Sequence, residues 1–171
     1  LDDGKEDWNI YAYNIKTEQS VQVTRDPATQ QKPRIPGDLV VWEDNRNGKW
    51  NIFMYNLKKD LTTAITYDDV DNREPSVSGS NVVWSRMDQN GTTHIYMVNL
   101  QVPATYIVSP GPGNQVKPDI YIDKVAWQDD RLGNWDIFLY TLKPNTPFRA
   151  FEFYGPVTIN YLPAPVGTEI L

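Results

Sequence analysis

Short apolar runs of four to eight residues, set between polar turns, recur along the whole chain. One block reads PRIPGDLVVW from Pro33 to Trp42, PSVSGSNVVW from Pro75 to Trp84 and PDIYIDKVAW from Pro118 to Trp127; a second follows as WNIFMYNL from Trp50, THIYMVNL from Thr93 and WDIFLYTL from Trp135, with an earlier copy, WNIYAYNI, from Trp8. Successive prolines, and successive tryptophans of the first block, stand 42 and 43 residues apart. A third apolar piece completes each period: VQVT from Val21, TTAIT from Thr62, ATYIVS from Ala104 and, more loosely, PFRAFEF from Pro147. Runs this short, rich in Val, Ile, Tyr, Phe and Trp and bounded by Gly, Asn, Asp and Pro, read as strands, and no 3.6-residue stripe competes.

The unit is therefore three clear strands plus a strand-like piece after the proline. Segments Asn45 to Gly48, Asp88 to Gly91 and Asp130 to Gly133 lie between strands and hold residues that accept the positive φ of a tight antiparallel turn. In LVVW and NIFMY the apolar residues do not alternate with polar ones, so both sheet faces need cover. A four-stranded sheet repeating every roughly 40–45 residues and covered on both faces is the period of a β-propeller blade.

The expected fold is all-β: three complete four-stranded antiparallel blades (33–74, 75–117 and 118–160) and a fourth made from a half blade at 1–32 and strands at 161–171. That last assignment lays PAPVGTEIL from Pro163 on PRIPGDLVV from Pro33, with Leu171 falling on Val41. The chain opens on Leu1-Asp2-Asp3-Gly4 rather than an initiator Met, so the reading expects a processed chain or a piece of a longer array.

The pattern P-x-I-x-G-D-x-V-V-W-x-D-x-R-x-G-x-W-D-I-Y-x-Y-x-L resembles the TolB-like, WD40-like propeller repeats of bacterial periplasmic proteins and of archaeal and bacterial surface proteins. Glu43 to Phe53 and Asp129 to Phe138 carry it best, and it spans residues from about 7 to 148. The Trp-Ser-Pro-Asp-Gly stretch of many such repeats is replaced by Pro-x-Ile-x-Gly-Asp, which moves the likeness from TolB itself toward surface-protein arrays. The resemblance implies an extracellular, cell-surface or periplasmic binding platform or assembly partner.

Composition narrows the chemistry. The 171 residues hold 22 acidic and 16 basic side chains, one histidine and no cysteine. An acidic chain without a dense basic run is a poor partner for nucleic acid, and no apolar stretch approaches the roughly 20 residues that span a bilayer. Thiol chemistry and disulfides are excluded, and His94 alone builds no common zinc site. His94 shares the column of Asn9, Asn51 and Asp136, a strand-end hydrogen-bonding position. With no G-x-S-x-G motif and every paired carboxylate in a turn, no enzyme is expected and no cofactor is implied.

Glu43-Asp44 and Asp129-Asp130 read as turn caps. Trp42, Trp84 and Trp127 read as inter-blade packing. The candidate binding positions are the divergent loop carrying Asp68, Asp69, Asp71 and Glu74, where four acids sit in seven residues, and the strand-starting Trp50 and Trp135. Asn90-Gly91-Thr92 matches the N-glycosylation triplet. For assembly, Glu169, Ile170 and Leu171 at one end and Trp8, Ile10 and Tyr11 at the other are the strands to be shared, within one chain or between copies. Two function classes follow: a non-catalytic scaffold binding protein, further copies of itself included, or a propeller whose rim or channel holds a glycan or protein ligand. A weaker third is the accessory propeller of a larger enzyme.

Overall fold

A computed structural model describes residues 8–142. They form thirteen strands in four antiparallel sheets. The first sheet pairs β1 (Tyr11–Asn14) with β2 (Gln19–Gln22). The second runs in sequence order through β3 (Gln30–Arg34), β4 (Leu39–Asp44), β5 (Asn51–Asn56) and β6 (Leu61–Ala64). The third repeats it with β7 (Asn72–Ser78), β8 (Asn81–Met87), β9 (Thr93–Asn99) and β10 (Val102–Ile107). The fourth holds β11 (Gln115–Tyr121), β12 (Lys124–Asp129) and β13 (Asp136–Thr141). The strand expected from Pro147 and the expected end strand from Pro163 lie outside the described residues.

Neighbouring residues of one strand are buried on opposite faces: Val40 and Val41 are 2% and 0% exposed, and Val82 and Val83 are both 0%. The second and third sheets are therefore each sandwiched, as the unbroken apolar runs require. One core joins Ile10 and Val23 of the first sheet to Val40, Trp42, Phe53 and Tyr55 of the second. The next joins Val41 and Ile52 to Val82, Trp84 and Val98. A third joins Val83, Ile95 and Met97 to Ile120, Val125, Trp127 and Phe138. Trp42, Trp84 and Trp127 thus fill the seams between blades, as their columns predict. Each indole stacks on the aromatic ring across the hairpin, with centroids 6.1, 6.2 and 6.1 Å apart.

The expected hairpin turns join β4 to β5, β8 to β9 and β12 to β13, with Gly48, Gly91 and Gly133 at φ of 80°, 85° and 89°. The innermost strands depart from expectation: β3, β7 and β11 begin ahead of Pro33, Pro75 and Pro118 rather than after them. Their first residues, Gln30, Asn72 and Gln115, are polar, yet each is buried to 1% exposure or less. The amides reach back to the preceding loop, for example from Gln115 Nε2 to the carbonyls of Pro112 and Gly113, both 3.0 Å. Each proline stands where the register with the next strand shifts, an edge-strand bulge at which a missing N–H costs no ladder bond.

Candidate functional surfaces

A shared geometry around Trp42 and Trp127 explains Asp44 and Asp129, whereas Glu43 and Asp130, read with them as turn caps, bind elsewhere: Glu43 Oε1 accepts from the Glu74 N–H at 2.6 Å and Asp130 Oδ2 from Asn114 Nδ2 at 3.1 Å. Asp44 is fully buried; its Oδ1 accepts from the Arg46 backbone N at 3.0 Å, capping the turn, while Trp42 Nε1 donates to Oδ2 at 3.0 Å. The Arg46 guanidinium closes a two-pronged pair on the same carboxylate at 2.9 and 2.6 Å and lies over the Phe53 ring. Asp129, Arg131, Trp127 and Phe138 repeat every contact. Burial works to raise both carboxyls' pKa values, but the bonds from arginine and indole outweigh it and hold them below the ordinary carboxylate value.

The middle blade reaches the same end by another route. Arg86 occupies the strand position of Asp44, yet its guanidinium again lies over the ring beyond, Tyr96, and it pairs with Asp68 at 2.9 Å. Trp84 Nε1 then donates to Asn72 Oδ1 at 2.8 Å.

That exchange absorbs part of the acidic loop. Asp68 Oδ1 also accepts from Asn72 Nδ2 at 2.6 Å, and Asp71 Oδ1 accepts from the Trp50 backbone N at 3.1 Å. Glu74 turns toward the innermost strands, where Oε2 accepts from the Lys117 N–H at 2.7 Å. Among the described residues the Asp69 side chain has no hydrogen-bond or ion-pair partner, and the loop acids do not converge on one point: no group of three or more acids or histidines is placed to hold a metal. Trp50 is half-buried under the Arg73 guanidinium, 4.2 Å from its ring, whereas Trp135 is 55% exposed. His94 Nδ1 donates to Gln115 Oε1 at 2.6 Å, the hydrogen-bonding role its column predicts. Asn90 sits exposed on the hairpin tip between β8 and β9.

The first and last described sheets expose apolar side chains whose counterparts in the inner sheets are buried. In the second sheet Phe53 and Tyr55 are 6% and 7% exposed against the first sheet; their counterparts there, Tyr11 and Tyr13, are 62% and 59% exposed. At the other end Ile137 is 73% exposed, while Ile52 and Ile95 in its column are 0%. Trp8 and Leu139 add to these faces, whereas Ile10 turns into the core joining the first two sheets. Among the described residues β1 pairs only with β2 and β13 only with β12. Glu169, Ile170 and Leu171 lie outside the described residues. Sequence reading alone did not single out Tyr13, Ile137 and Leu139, because the same residue types are core in the inner copies.

No known family model and no curated protein matches this sequence. Solved structures do. TolB from Acinetobacter baumannii superposes with a TM-score of 0.64 at 16% identity, over 81% of this chain and 36% of that one. The fold is that of a β-propeller. The propeller domain of the Trilobed protease from Pyrococcus furiosus, described as having an open velcro topology, matches with a TM-score of 0.54 at 16% identity over 67% of this chain and 39% of that one. A chain of a nidogen/laminin complex matches with a TM-score of 0.54 at 15% identity, over 74% of this chain and 49% of that one. The chain thus spans about a third of the TolB propeller protein and half of the nidogen/laminin chain it resembles. Its strands build propeller blades similar to those of TolB.

Proposed function

We propose that this propeller arc is a non-catalytic structural and interaction scaffold of the extracellular or cell-surface kind, the periplasm included, whose end faces take further blades. Protein is its partner, and copies of the chain add head to tail, with Glu169 to Leu171 of one copy completing the sheet begun by β1 of the next. The observation that carries this reading is the contrast within single columns: Ile52 and Ile95 are 0% exposed and Ile137 is 73%, Phe53 and Tyr55 are 6% and 7% and Tyr11 and Tyr13 are 62% and 59%. Apolar side chains that every inner copy covers with a neighbouring blade stand uncovered at the two ends, and the faces are the opposite halves of one repeated seam. An interface of two unlike halves propagates rather than closing on itself as a two-fold dimer does.

Two charge substitutions test it. Tyr13→Asp spoils one face and Ile137→Asp the other, and each variant alone stops growth at that face. Because each retains the face the other has lost, an equimolar mixture forms a one-to-one dimer. Sedimentation velocity reads the outcome; monomers in the mixture, or polymers of either variant alone, contradict the proposal.

A further inference from the structure

Three successive innermost strands share an unusual backbone. Lys32, Glu74 and Lys117, each followed by proline, have φ of 52°, 57° and 51°. A side chain in this left-handed region costs about 1–2 kcal/mol, and a following proline narrows the residue's choices further. The surroundings hold the kink in place: Glu43 Oε1 accepts from the Glu74 N–H at 2.6 Å, and Glu74 Oε2 accepts from the Lys117 N–H at 2.7 Å. Non-glycine residues kept in such conformations gather at ligand clamps and active sites.

Beside the kinks lies a cleft of about 440 Å³, walled by Lys32, Arg34, Glu74, Lys117 and Asp119 with Pro75 and Pro118 between them; Lys32 is paired with Glu43 at 3.1 Å. One oxygen of each of its carboxylates is engaged by hydrogen bonds. Glu74 Oε2 takes the Lys117 N–H and the Ser85 hydroxyl, and Oε1 lies 3.9 Å from Lys32 Nζ. Asp119 Oδ1 accepts from Ser76 Oγ at 2.6 Å and from its neighbour's N–H, that of Ile120, at 3.1 Å. Unlike Lys32, Lys117 Nζ and the Arg34 guanidinium have no carboxylate within 4.0 Å among the described residues, and Arg34 bonds only the Pro33 carbonyl. Arg46, Arg73, Arg86 and Arg131, in contrast, are all paired. In a chain of net charge −6, two cations that face one cleft without a carboxylate partner favour a ligand that supplies anionic oxygen.

We propose that the cleft between β3, β7 and β11 binds a carboxylate-bearing ligand through Arg34 and Lys117. Carboxylates of this kind come from an acidic peptide segment or from a uronate sugar, and the test has an arm for each. Isothermal titration of the whole chain with hexaglutamate and with a galacturonate trisaccharide is compared with the Arg34→Gln/Lys117→Gln variant, its fold checked by near-ultraviolet circular dichroism.

Binding of the peptide alone identifies a protein source, of the sugar alone a glycan source, and of both a site that reads the carboxylate itself. In each case the variant binds at least about tenfold more weakly, two charge-assisted bonds being lost, and added salt weakens the parent chain. Binding of neither probe by the parent, or equal binding by the variant, overturns the proposal. Should the double variant unfold, each single substitution is titrated instead, with a several-fold loss required.

Discussion

Ile122 occupies the turn position at which the other two blades carry Gly37 and Gly79. Its φ is 55°, against 63° and 58° for the glycines. A β-branched side chain in that region is strained, and at 64% exposure it recovers little by packing. Ile122→Gly is expected to raise stability by about 1 kcal/mol, read as a higher unfolding midpoint in urea.

The buried acids act in the opposite sense. Asp44→Ala strands the Trp42 indole N–H and leaves the Arg46 guanidinium only its 3.6 Å ion pair with Asp26, and should cost about 2–3 kcal/mol. The pH dependence follows from the direction of the shift. The folded pKa values of Asp44 and Asp129 lie below the ordinary 3.8, so their contribution is present in full above that value and is lost as pH falls through the lower folded values. Asp44→Asn should therefore be less stable at pH 7 and decline less steeply below pH about 4, measured by denaturant unfolding across that range.

At the scale of the element, the first three sheets are each fastened by a hydroxyl that follows the last strand and bonds back to the start of the strand before it. Thr66 Oγ1 accepts from the Ile52 N–H at 2.8 Å and donates to Asn51 Oδ1 at 2.9 Å; Thr24 makes the same pair of bonds to Ile10 and Asn9, and Ser109 accepts from Ile95. Thr66→Val keeps the shape and leaves a buried N–H unpaired. A loss of about 1–3 kcal/mol is expected, with faster hydrogen exchange at Ile52 than at Ile95.

These fastenings show what the sequence could and could not disclose. The strands that carry LVVW or NIFMY were legible because burial on both faces leaves an unbroken apolar run. The innermost strands were legible only as a strand-like piece after each proline: they start earlier, on buried Gln30, Asn72 and Gln115, whose hydrogen bonds replace apolar packing, and they continue through prolines that usually end a strand. The acid, arginine and indole cluster was hidden for a different reason. Asp44 and Asp129 were legible as turn caps, but the guanidinium keeps its place over the ring while its sequence position moves from Arg46 to Arg86, so no column of residues records it.

For the whole molecule, order follows from repetition. The core clusters link the first sheet to the second, the second to the third and the third to the fourth. Nothing in a single repeat marks an end, so the end copies carry the same apolar residues as the inner ones and expose them. The sequence could therefore predict the blades but not which faces lie open, since exposure of Tyr13 and Ile137 comes from position in the stack and not from residue type. The central claim is that those faces take further copies. Light scattering of the intact chain over a range of concentrations tests it most directly. A mass that climbs with concentration through multiples of 19.7 kDa is the expected result. A mass fixed at 19.7 kDa at every concentration, with the β fold intact, would contradict it.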